Sequence, residues 1–139
     1  MKKETIEQFK ELVTIDSHSK EEGEIATYLI ELLEEWGLEV TTDSAGEKIE
    51  GETGNIIAKL EGDSDLPTLL FCAHMDTVIP GENVEPVIED GVIYSRGDTI
   101  LGSDDKAGIT AILGMLRIIQ EHDIEHGDIE IVFTVAEEV

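Results

Sequence analysis

The sequence predicts an α/β domain built on a mixed, mostly parallel sheet with helices on both faces. Three observations carry that prediction. Apolar residues recur at helical spacing in three segments. Short apolar runs suited to strands alternate with those segments. The run over residues 68–73 is continuous rather than alternating, which suits a central strand covered on both faces.

Each element follows in order. Residues 4–14 place Ile6, Phe9, Leu12 and Val13 on one helical face. Ser19 followed by Glu22 reads as a capping box opening a second helix, whose inward positions are Ile25, Tyr28, Leu29, Leu32, Leu33 and Trp36. Gly37 is the natural stop for it. Leu38, Val40 and Thr42 alternate as a short strand, and residues 55–60 form another. Residues 87–94 read as a hairpin turning at Asp90-Gly91. A third helix spans residues 105–120, with Ile109, Ile112, Leu113, Leu116 and Ile119 inward, and residues 129–135 form the last strand. There is no internal repeat and no low-complexity linker, and 139 residues suit one domain.

Charge narrows the function. Asp and Glu number 33 against 9 Lys and Arg, giving a formal charge of −24. Such a surface repels phosphate, which argues against nucleic acid and against an anionic membrane as partners. A hydrophobic content of 40% is ordinary for a folded chain. No apolar run approaches the roughly 18 residues of a membrane span, and the first residues lack an apolar leader, so a cytoplasmic location is the expectation. Cys72 is the single cysteine, which excludes an internal disulfide and a cysteine zinc knuckle; within an apolar strand it is expected to be buried and inert. Cations remain the partners such a chain attracts.

In open α/β sheets, ligands sit beyond the carboxyl ends of strands. Three polar clusters fall at such places: His74-Met75-Asp76, the loop 102–108 with Asp104 and Asp105, and Glu137-Glu138. His74 and Asp76 are two apart, so an extended chain can point both the same way, offering a metal ligand and a group to orient it. Asp104 and Asp105 stand where a helix begins, where carboxylates gain from the dipole and could hold a cation. One Glu of the last pair could bind metal while its neighbour acts on the attacking water. Each cluster has a plain alternative: a packed histidine, a helix cap, a solvated acid pair. Their coincidence at one sheet edge is what points to a site. Nitrogen with several carboxylates suits zinc better than magnesium or calcium. No Gly-x-Gly-x-x-Gly and no phosphate loop is present, so a nucleotide-binding domain is excluded.

The segments 74–78 (His-Met-Asp-Thr-Val), 102–108 (Gly-Ser-Asp-Asp-Lys-Ala-Gly) and 136–138 (Ala-Glu-Glu) closely resemble the M20 metallopeptidases. Residues 78–81 and 98–102 resemble the peptidase T-like branch, named for a tripeptide aminopeptidase. The resemblance implies a two-zinc exopeptidase that hydrolyses short peptides from the N-terminus, with Co2+ or Mn2+ as substitutes for Zn2+. It implies that His74 binds one metal, Asp104 bridges both and Glu138 binds the second. Glu137 would be the general base that takes a proton from the attacking water and passes it to the departing amine, and Asp76 would orient His74. A cis peptide after Asp104 is also implied. Residues 1–139 would be the N-terminal portion of the catalytic domain. The remaining ligands and a lid domain, through which such enzymes form homodimers, would follow Val139. The span alone is therefore expected to bind metal weakly and turn over poorly. An M20-type amidohydrolase or carboxypeptidase acting on N-acyl amino acids or other peptides, or a catalytically incompetent fragment that only binds metal, are the alternatives.

The other polar residues are read more plainly. His18 is expected in an exposed loop, and His122 and His126 on the surface at the end of the third helix. Lys106 either neutralises the carboxylates or lies on the helix surface, and Arg96 is either a substrate contact or a hairpin charge.

Overall fold

A computed structural model describes residues 2–139. The helices are α1 (Lys2–Thr14), α2 (Gly23–Glu35), α3 (Ala45–Ile49) and α4 (Ser103–Glu121), and the strands are β1 (Glu39–Thr42), β2 (Ile56–Leu60), β3 (Leu69–His74), β4 (Pro86–Glu89), β5 (Val92–Ser95) and β6 (Ile129–Thr134). Of these only α3 has no counterpart in the sequence reading. None of the described helices is long and apolar enough to cross a membrane.

Four strands form a mixed sheet in the order β1-β2-β6-β3. The β1–β2 and β2–β6 ladders are antiparallel, and only β3–β6 is parallel. The expectation of a mostly parallel sheet is thus corrected. A parallel pair needs a crossover, and the chain supplies one here, through α4 between β3 and β6. β4 and β5 form a separate hairpin, with Asp90 and Gly91 both at positive φ in its two-residue turn.

Helices α1, α2 and α4 share one core on a single sheet face, where both faces were expected to be covered. Along β6, Ile129, Ile131 and Phe133 are buried, and so are Ile56, Ala58 and Ala73 beside them. These meet Leu12 of α1, Ile25, Leu29 and Leu33 of α2, and Ile109, Leu113 and Leu116 of α4 in one core. The opposite face carries Ile57 at 41% exposure and Leu70 at 60%, with Cys72 exposed between β3 neighbours. Cys72 is therefore not the buried thiol expected. The 68–73 run is apolar on both faces but lies at the sheet's edge, and apolar composition was the only signal for double coverage.

Close backbone approaches fix the segment between β1 and β2. A Cβ on Gly54 would stand 2.0 Å from the Asp43 carbonyl oxygen, and one on Gly46 2.0 Å from that of Thr53. Asp43 takes the Ala45 and Asn55 amides and the Asn55 side chain across this contact. Gly54→Ala is expected to destabilise the chain by about 2 kcal/mol, because the backbone must part. Thermal unfolding checks it; an unchanged midpoint would refute the close approach.

Candidate metal centre

The one parallel ladder explains how distant residues meet. β3 and β6 run side by side with His74 opposite Thr134, so the residues following both strands emerge at the same edge. Helix α4 returns antiparallel between them, which brings its first turn, with Asp104, to that edge as well. His74, Asp104 and Glu138 each offer a ligand atom within 4.8 Å of the others. Glu137 lies outside that trio, its Oε2 4.0 Å from His74 Nε2.

The first α4 turn divides the Asp pair. Asp105 Oδ1 accepts the Gly108 N–H at 3.0 Å, as a helix cap does. Asp104 instead turns its Oδ1 to 3.0 Å from His74 Nε2. The peptide between them is cis, as the resemblance implied, and Ile79–Pro80 is cis too.

His74 is buried, with its Nδ1 2.9 Å from the Asp76 carbonyl oxygen and 3.3 Å from the Asp76 carboxylate. That geometry makes Nδ1 the donor. Nε2 then faces the Asp104 carboxylate, and a lone pair against an anion at this distance calls for a positive centre between them, either a proton or a metal ion. Burial works against the charged imidazole, but the hydrogen bonds to Asp104 and the Asp76 carbonyl, with the charges of Asp76 and Glu137, outweigh it and hold its pKa above the ordinary value. The donor set of one imidazole nitrogen and two carboxylates fits zinc.

Asp76 is fully buried and does more than face the histidine. Its carboxylate accepts Ser19 Oγ at 2.6 Å, the Glu137 N–H at 2.9 Å and the Glu138 N–H at 3.1 Å. Burial would raise its pKa, but these hydrogen bonds and His74 together hold the carboxyl below the ordinary value. The sequence reading missed Ser19 in this role, since Ser-x-x-Glu also spells a helix cap, and α2 has no side-chain cap.

Two minor readings change and a third, Arg96, is decided. His18 is half-buried, not exposed: its Nε2 accepts the Gly81 N–H at 3.2 Å while Nδ1 faces Glu82 at 3.7 Å. With Nε2 accepting, Nδ1 holds the proton, so the grouping of His18, Glu21 and Glu82 lacks a free nitrogen for a metal. Lys106 is buried and donates to the Ile15 carbonyl rather than to the carboxylates, and burial pushes its pKa down to about 8, against the pull of Asp16. Arg96 pairs with Glu85 across the hairpin.

Comparison with known proteins fits this geometry. Residues 70–139, from β3 through the acid pair, match Peptidase family M20/M25/M40. The chain belongs to this family. It is a family of peptidases, hydrolases by class. The M20 chain is 43% identical over 136 residues to the uncharacterized protein YqjE of Bacillus subtilis, covering 98% of this chain and 37% of that one. A tripeptidase from Staphylococcus aureus superposes with a TM-score of 0.96 at 41% identity, over 99% of this chain and 37% of its own. Aminopeptidase PepT from Bacillus cereus does so at 0.97 and 40%, with the same coverage. The M20 chain thus spans 37% of the length of each of these proteins, and its likeness runs to the peptidase T branch.

Proposed function

We propose that the M20 chain is the N-terminal portion of the catalytic domain of a zinc-dependent exopeptidase that removes residues from the N-terminus of short peptides. The observation that carries this reading is the convergence of His74, Asp104 and Glu138 within 4.8 Å beside the Asp76 scaffold. His74 Nε2, Asp104 and Glu138 would hold the metal, and the family resemblance makes Asp104, exposed and 3.0 Å from His74 Nε2, the ligand that two ions would share. Zinc so bound lowers the pKa of water and polarises a carbonyl.

The chain's own residues do the rest. Asp76 keeps the proton of His74 on Nδ1 through its carbonyl, so that Nε2 presents a lone pair. Glu137, exposed and outside the ligand trio, keeps a carboxylate free to accept a proton from the attacking water and to deliver it to the departing amine. Two shallow pockets flank the site. One is lined by His18, Val78 and Ile79, the other by Ile100, Leu101 and Ser103, and both reach Glu138. They offer room for short apolar side chains on either side of the reacting carbonyl.

Calorimetric zinc titration tests the metal reading. His74→Ala is expected to weaken binding by at least about tenfold. Equal affinity in the variant would end the reading. Assay of tripeptides beside N-acyl amino acids tests the substrate, and cleavage confined to the acyl compounds would reject the aminopeptidase.

A further inference from the structure

We propose that Glu22 is a positioning residue for the acid pair, holding the main chain at Ala136 and so setting the directions in which Glu137 and Glu138 project. The proposal deepens the metal-centre reading above and rests on it. Glu22 belongs to none of the three clusters that define the site. It lies at the start of α2, over a hundred residues away in sequence, and is fully buried.

The main chain after β6 is held in an unusual way. Four consecutive amides, from Val135 to Glu138, donate to side chains rather than to a strand or helix. Val135 donates to Asn55 Oδ1 at 3.0 Å, and Ala136 to Glu22 Oε1 at 2.9 Å. Glu137 and Glu138 donate to the two oxygens of Asp76. Within this run, Ala136 has φ of 53°, the left-handed region that an alanine adopts only under constraint. The residue in the strained conformation is the one Glu22 holds. Its neighbours on both sides are pinned separately, so this contact is what fixes the bend between the strand and the acids.

The rest of Glu22 argues against a packing or capping role. Its side chain makes no cap to α2, although its carbonyl receives the Ala26 amide. Its Oε2 has no hydrogen-bond partner among the described residues. A buried carboxylate with one oxygen unsatisfied is unfavourable for packing alone, where an apolar side chain would serve better. Its single side-chain hydrogen bond among the described residues, to Ala136, is what makes an acceptor at this position useful.

The test compares the chain with Glu22→Ala and Glu22→Gln by NMR-detected hydrogen exchange and by zinc titration. In Glu22→Ala, the Ala136 amide is expected to exchange at least about tenfold faster, followed by those of Glu137 and Glu138, while Ile131 and Leu113 keep their rates. Zinc binding should weaken by about tenfold. Glu22→Gln retains a carbonyl acceptor and should restore both readouts. Unchanged exchange at residues 136–138 in Glu22→Ala would overturn the proposal. So would uniform acceleration of the core amides, which marks a merely structural role, or a Glu22→Gln variant as impaired as Glu22→Ala. A parent chain that takes up no zinc would overturn the metal reading alone, and the exchange rates would still decide whether Glu22 sets the turn.

Discussion

Asp76→Ala is expected to destabilise the chain by about 3–5 kcal/mol and to release the acid pair from its place. The carboxylate is fully buried, and three donors besides His74 converge on it. Alanine supplies none of their acceptors and leaves the half-buried Ser19 hydroxyl and the part-buried amides of Glu137 and Glu138 without the partner they converge on. Asp76→Asn preserves the shape and one acceptor but turns an NH2 group toward a donor, so an intermediate loss is expected. Urea unfolding of the two variants and the parent measures both effects. A loss below about 0.5 kcal/mol for Asp76→Ala would show that the scaffold does not bear on stability. Zinc affinity should fall in step, because the same carboxylate sets the Glu138 backbone.

Much of this arrangement was legible before any coordinates, for reasons that particular residues make plain. Leu29, Leu33, Leu113 and Leu116 recur at helical spacing and are fully buried, so periodicity located α2 and α4 and their inner faces. The clusters that hold His74, Asp104 and Glu138 were legible because ligands gather beyond the carboxyl ends of strands, whereas the choice of these residues within each cluster came from the family resemblance; the β3–β6 ladder brings His74 and the acid pair to one edge. Strand direction was not legible. Which strands become neighbours depends on long-range pairing that a local pattern does not encode, and β2 lies beside β6 over seventy residues away. Helix α3, five residues with one large apolar side chain, has too little period to detect. Glu22 is the instructive failure. Its spacing from Ser19 spelled a local cap, yet Ser19 reaches Asp76 and Glu22 reaches Ala136. Both are tertiary contacts that replace the local one.

The two neighbouring acids should separate cleanly by role. Glu138 shares the group of donor atoms with His74 and Asp104, whereas Glu137 stands apart with its Oε2 4.0 Å from His74 Nε2. A carboxylate that ligates metal has its lone pairs engaged and is a poor base, so one acid cannot serve both purposes at once. On the proposed reading, Glu137→Gln in the complete protein supplied with zinc is expected to reduce peptide turnover by about 10²–10⁴-fold, the usual worth of a positioned general base, with zinc affinity essentially retained. Glu138→Gln is expected to show the reverse order of effects, with weaker zinc binding first and lost turnover only as its consequence, recovered in part by excess zinc. Steady-state kinetics on a tripeptide at several zinc concentrations, paired with calorimetry, resolves the two cases. Full activity in Glu137→Gln would remove this residue as the base. Equal loss of zinc from both variants would mean that the acids act as one ligand set, and the proton would then have to be handled by another group at this edge of the sheet.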